Sequence, residues 1–143
     1  MIVYVRLFVI LAGLFGSATH KPTIASEHLD FFQRDFTGLT ALNSYIQQHS
    51  LSNDDVLAEC SALIASVVPI LELANAEIHE MSVDIYLQLE RSQGSDAKKT
   101  VNAKTEKYLK PLLEHATFAE KEALMRRASK AIMLCRGFYH SVT

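Results

Sequence analysis

From Leu57 onward the apolar positions of this chain recur at alternating steps of three and four: Leu57, Cys60, Ile64, Val67, Leu71, Ala74, Ile78, Met81, Ile85 and Leu89. A seam held in phase for so long is the mark of a helix packed on helices, and it predicts one long central helix over about residues 53–90. Residues 60–71 carry no charge on any side, so that half should be surrounded by neighbours. From Glu72 the charges Glu77, Glu80, Asp84 and Glu90 leave a single narrow apolar line. At about 1.5 Å rise per residue such a rod would be roughly 57 Å long, and several shorter helices would have to cover it in relay. Pro69 removes one backbone hydrogen bond and predicts a bend; with no turn residues beside it, the pattern favours a kink over a break.

The remaining periodicities place the partners. A first helix is predicted over about residues 26–49, opened by Ser26, with Leu29, Phe32, Phe36, Leu39, Leu42 and Ile46 on its inner side. A turn at residues 50–53 follows, with Ser52 or Asn53 capping the long helix and Asp54 and Asp55 in its first turn, where the helix dipole favours acids. Gly94 marks the next turn. A third helix, roughly residues 96–114, buries Ala97, Val101, Tyr108 and Leu112 among five lysines, with Pro111 late in it. Thr117 and Glu120 form a capping box, so a last helix begins at Phe118, with Phe118, Met125, Ala128, Ile132, Cys135 and Tyr139 along its seam. The fold class read from this pattern is all-α: an antiparallel helical bundle with one long central helix and three or four helices in all.

The chain begins with a different pattern. Residues 1–18 read as a secretory signal peptide: Arg6, an apolar run from Leu7 to Phe15, then Gly16 and Ala18 as small residues before cleavage. The uncharged run is too short for the roughly 20 residues a membrane span needs, so stable insertion after cleavage is not expected. Residues 19–25 form a flexible leader, and residues 26–143 a single helical domain that is secreted and extracellular. Asn43, Asn53, Asn75 and Asn102 all lack the glycosylation sequon.

Composition narrows this picture in two respects. With 5 Gly, 3 Pro and no Trp among 143 residues, breakers are too few for a β-sandwich. Charge is divided unevenly: residues 26–90 hold eleven acids against Arg34 alone, and residues 91–143 hold eleven Lys and Arg against five acids. The plainest use of that division is internal, an acidic face lying along a basic one.

Cys60 and Cys135 both fall on core seams. In an oxidising compartment they form one disulfide, worth about 4 kcal/mol on the chain-entropy account; two buried thiols are the alternative. With a single rod over residues 53–90, an up-down-up-down bundle would hold the two sulfurs far apart. The bridge therefore predicts that the third and fourth helices continue as one bent rod, bringing Cys135 back beside Cys60 and leaving residues 72–114 as a thin arm.

Catalytic constellations are missing from the sequence. It has no phosphate loop, no nucleophile elbow and no C-x-x-C, and His79-Glu80 lacks the second histidine of a zincin. No enzyme activity, cofactor or metal is expected. Arg126, Arg127 and the lysines of the third helix are interleaved with Glu106, Glu114, Glu120 and Glu122, which argues against nucleic acid as a partner. Phe31, Phe32, Phe36, Phe118 and Phe138 either fill the core or line a cavity for an apolar ligand. The functional expectation is a secreted, non-enzymatic helical binding protein that meets an unknown protein partner or itself, through the 72–114 arm. The alternative is an extracellular carrier of a small apolar ligand such as a fatty acid or sterol.

Overall fold

Ser52 and Asp55 open the helix on which the rest of the molecule is built. The Asp55 backbone N–H donates to Ser52 Oγ at 3.1 Å, and the Ser52 N–H donates to the Asp55 carboxylate at 2.9 Å, which satisfies two otherwise unpaired donors. The structure is a computed structural model that describes residues 29–71, 76–114 and 117–143; the expected signal peptide and leader lie outside the described residues. Five helices form among the described residues: α1 Leu39–Gln48, α2 Asn53–Leu71, α3 Ala76–Gln93, α4 Asp96–Glu114 and α5 Phe118–Val142. No described residue lies in a strand.

The single central helix predicted over residues 53–90 is not found. Pro69 stays inside α2, which continues to Leu71, and α3 runs antiparallel to α2 and packs against it. Ser92 Oγ, in the last turn of α3, donates to Asp54 Oδ2 in the first turn of α2 at 2.8 Å. On one straight helix those residues would stand about 57 Å apart. The chain thus reverses between Leu71 and Ala76, residues 72–75 being outside the described set, and five helices stand where three or four were predicted. The physical reason is that a seam fixes which face is buried and not which way the axis runs. Ile78, Met81, Ile85 and Leu89 are buried as their period requires, but against α2 and its neighbours rather than along an extended rod.

The first predicted helix is also shorter. Residues 29–38 are not helical; α1 starts at Leu39. Asp30 Oδ1 accepts the Phe32 N–H at 2.9 Å, and the Asp30 carbonyl accepts those of Gln33 and Arg34 at 3.1 and 2.9 Å. This local turn competes with helix formation, and it buries the consecutive rings of Phe31 and Phe32 together with Phe36. After α1, Ser50 takes a positive φ of 53° while the Leu51 N–H donates back to the Ile46 carbonyl at 3.0 Å, a closure that turns Leu51 into the core.

α2 is the hub, with α3, α4 and α5 all packed on it. Val56, Leu57, Ala58, Ala62, Leu63, Ile64 and Val67 are buried, but Ala65 and Pro69 are exposed and Val68 is half-buried, so the uncharged half expected to be surrounded keeps one open side. α4 comes close where α2 carries small residues. Ser66 Oγ lies 2.7 Å from the Ala62 carbonyl and 3.1 Å from that of Thr105, an approach a larger side chain would block. α4 buries Ala97, Val101, Tyr108 and Leu112, the four predicted, within the predicted bounds. Gly94 at φ 66° makes the turn into it. Cys60 and Cys135 are joined, with Cα atoms 5.6 Å apart. Their meeting does not rest on the predicted relay: α5 lies against α2, α3 and α1, and the lysine-rich α4 sits on α2 rather than on a thin lower arm.

Candidate functional site

Glu59 has its side chain fully buried, one residue before the uncharged run of α2. A bare carboxylate at such a place would cost several kcal/mol, so it must be paired and hydrogen-bonded. Lys104 Nζ lies 2.5 Å from Oε2, and Lys107 Nζ lies 2.8 Å from Oε1. The Tyr108 hydroxyl donates to Oε1 at 2.7 Å and accepts the Phe31 N–H at 3.2 Å. Lys107 also donates to the Leu29 carbonyl at 3.1 Å. Burial, and then the Glu59 charge, holds the Tyr108 phenol well above its ordinary range, so it remains a neutral donor. Every listener in this cluster has a speaker: one carboxylate fastens α4 to α2, and through Tyr108 and Lys107 it fastens the 29–32 turn to both.

α5 holds the same segment from the other side. Arg127 donates to the Phe32 carbonyl, and Lys130 pairs with Asp35 at 2.8 Å, which keeps the Asp35 carboxyl below its usual range. On α3, Glu77 pairs with Arg136 at 2.9 Å, and Asp84 accepts from Tyr139 and from Gln88. Those two hydrogen bonds lower the Asp84 pKa, and the same bond raises that of Tyr139. Much of the acidic-to-basic division along the chain is therefore used inside it.

The five predicted phenylalanines do not gather in one place. Phe31, Phe32, Phe36 and Phe138 are buried; Phe118 is 80% exposed. The reason is register: Phe118 is the first residue of α5, beyond the reach of α2, and α5 begins to bury residues only at Ala128. Phe31 and Phe36 meet edge to face at 6.2 Å, Phe32 meets Tyr108 at 5.1 Å, and Phe36 meets Tyr45 at 5.4 Å. The space left beside Phe31 and Phe36 is about 10 Å³, room for one water-sized probe at most. These rings fill the core.

A larger hollow of about 540 Å³ opens beside the Glu59 cluster. Phe32, Pro111 and Leu124 give it apolar walls, and Asp30, Gln33, Lys107, Lys110 and Glu114 give it polar ones. It lies where the 29–33 turn, the end of α4 and the start of α5 converge. Leu113, 70% exposed, and Phe118 are not among the residues that line it. His79 is exposed on α3 in a shallow surface depression with Glu80, Val83, Asp84 and Leu87. Among the described residues no group of three or more His, Cys, Asp and Glu could hold a metal ion, and no described helix is long and apolar enough to cross a membrane.

Sequence reasoning passed over Glu59, Lys104 and Tyr108 as a unit. The available signal was a lone acid bounded by Val56, Leu57 and Ala58 on one side and the uncharged run on the other. Comparison of the chain with protein-family models, with curated proteins and with solved structures found no match.

Proposed function

We propose that this chain is a secreted, non-enzymatic helical protein that acts by binding another protein. The observation that carries the reading is the set of large apolar side chains left in water on the last two helices, Leu113 at 70%, Phe118 at 80% and Met133 at 57% exposed. Leaving a phenylalanine in water forgoes about 1.5–3 kcal/mol of burial, and large apolar side chains so exposed are candidates for a contact surface. The buried carboxylate of Glu59, by contrast, is engaged in holding α4 to α2. Export is supported by the apolar leader of the sequence and by the joined cysteines.

The test compares the native chain with Phe118→Ser, each immobilised in the fluid into which it is released. A protein retained by the first and lost by the second supports the reading; identical retention by both overturns it. The intact mass of the released material, with and without reductant, reports cleavage after Ala18 and the Cys60–Cys135 bond together.

A carrier of a small apolar ligand is the second reading, favoured by the volume and the Phe32, Pro111 and Leu124 walls of the hollow. Native mass spectrometry of protein from its source tests it: a co-purifying ligand displaced by a fatty acid supports carriage, and bare protein dismisses it.

A further inference from the structure

We infer that α5 is a strap that acid loosens: as the surface carboxylates it rests on take up protons, it lifts from the body on either side of Cys135 and stays attached through the Cys60–Cys135 bond, while α2 and α4 hold together. Three side-chain links that fasten α5 run in one sense, a carboxylate of the body against a donor of the strap. Asp35 meets Lys130, Glu77 meets Arg136 with His140 at 3.9 Å, and Asp84 meets Tyr139. Arg127 adds the Phe32 carbonyl, which does not titrate. α1 carries no charged residue, and the acids of α2 are engaged elsewhere, Asp54 with Ser92, Asp55 with Ser52 and Glu59 with Lys104, Lys107 and Tyr108. Arg34 lies with Arg127 and Lys130 around the narrow space between α5 and the 29–36 segment, where Asp35 offsets the three like charges. Arg91 acts on Asp84 from α3, and α4 faces Leu124 of α5 across the hollow with Lys107, Lys110 and Glu114.

The balance of charge makes the change large. Residues 29–114 hold thirteen acids against seven Lys and Arg, and α5 holds two acids against five Lys and Arg, so at neutral pH a negative body meets a positive strap. With the carboxylates protonated both are positive, and attraction turns into repulsion. Folding lowers the Asp35 and Asp84 carboxyls, so their contribution is present above the ordinary carboxylate range and is lost as pH falls through the folded values. The apolar grip left to α5 is modest, since two of its five buried side chains are alanines. α4, by contrast, is fastened through Glu59, whose side chain is fully buried. Loosening uncovers Phe31, Phe36 and Leu134, which line the space under the strap, so acid offers an apolar surface that is covered at neutral pH.

Hydrogen exchange on the full chain, read residue by residue from neutral pH to about pH 3, tests this. The protection factors of α5 fall at least about tenfold at a pH where α2 and α4 keep theirs. Combining Asp35→Asn, Glu77→Gln and Asp84→Asn reproduces that loss at neutral pH and leaves α2 and α4 protected. Lys121→Gln with Arg126→Gln, which trims charge from α5 while leaving the Asp35, Glu77 and Asp84 links in place, moves the release to lower pH, and this pair decides the matter if the triple variant does not fold. Loss of protection in α2, α4 and α5 together, a triple variant as protected as the native chain, or a release indifferent to Lys121 and Arg126 would each overturn the inference.

Discussion

Two regions of this molecule break the rule of polar outside and apolar inside, and they break it in opposite senses. Around Glu59 a charge is sunk in the core, and two lysines and a tyrosine answer it from within the chain, Lys107 and Tyr108 in turn holding the Leu29 carbonyl and the Phe31 N–H. At the start of α5 a phenylalanine stands in water, 80% exposed. The first departure is resolved intramolecularly and reads as architecture. The second is left unresolved among the described residues, and that difference separates a group whose burial the fold answers from one whose exposure it does not.

Glu59→Ala should strike hardest. It strands the Lys104 and Lys107 charges beside an apolar core, and a loss of about 3–5 kcal/mol in chemical denaturation is expected. Glu59→Gln sharpens the comparison: it keeps hydrogen-bonding capacity without charge, and a loss equal to that of the alanine variant would show that charge, not bonding, holds α4 to α2. Opening the Cys60–Cys135 link, which spans 75 residues, should remove about 2–4 kcal/mol, read as the shift of the unfolding midpoint after reduction and blocking. Tyr108→Phe leaves the Phe31 N–H without its acceptor and should cost about 1–3 kcal/mol. In the native protein the Tyr108 phenol should stay un-ionised as pH climbs past its ordinary range. Because its pKa is raised by folding, the associated stability is complete below the unfolded value and is lost as pH rises through the folded one.

The smaller effects belong to the surface. Asp84 is lowered by folding, so its contribution is present above the ordinary carboxylate range and disappears as pH falls through the folded value. Tyr139→Phe should move the acid-unfolding midpoint slightly upward, measured by circular dichroism. Phe118→Ser should change stability by no more than about 0.5 kcal/mol. A large loss there would erase the contrast between the two regions, since it would make Phe118 part of the fold after all.

The buried faces of the helices could be read from spacing. Ile78, Met81, Ile85 and Leu89 on α3, and Ala97, Val101, Tyr108 and Leu112 on α4, are buried where the period put them, and Thr117 caps α5 by accepting the Glu120 N–H. The reversal after Leu71 could not be read, because Ile78 continues the phase of Val67 and Leu71, and residues 72–75 contain neither glycine nor proline. The Asp30 turn was hidden for a related reason: Leu29, Phe32 and Phe36 satisfy a helical spacing whether or not a helix forms. Of the candidate site, the cysteine pair was legible because only two cysteines exist to match. The Glu59 cluster was not, since its lysines lie 45 and 48 residues away, a distance at which one sequence offers no measure of proximity.

The grip on the 29–36 segment has a consequence for how the chain comes into being. Synthesis runs from the first residue to the last, yet Leu29, Phe31, Phe32 and Asp35 are held by Lys107, Tyr108, Arg127 and Lys130. Phe31 and Phe32 therefore wait for their partners until most of the polypeptide has emerged, and the sulfur at position 135 arrives later still. A nascent chain halted before α5 has the grip of Lys107 and Tyr108 on Leu29 and Phe31 but lacks that of Arg127 and Lys130 on Phe32 and Asp35, so the segment is secured only when the last helix arrives.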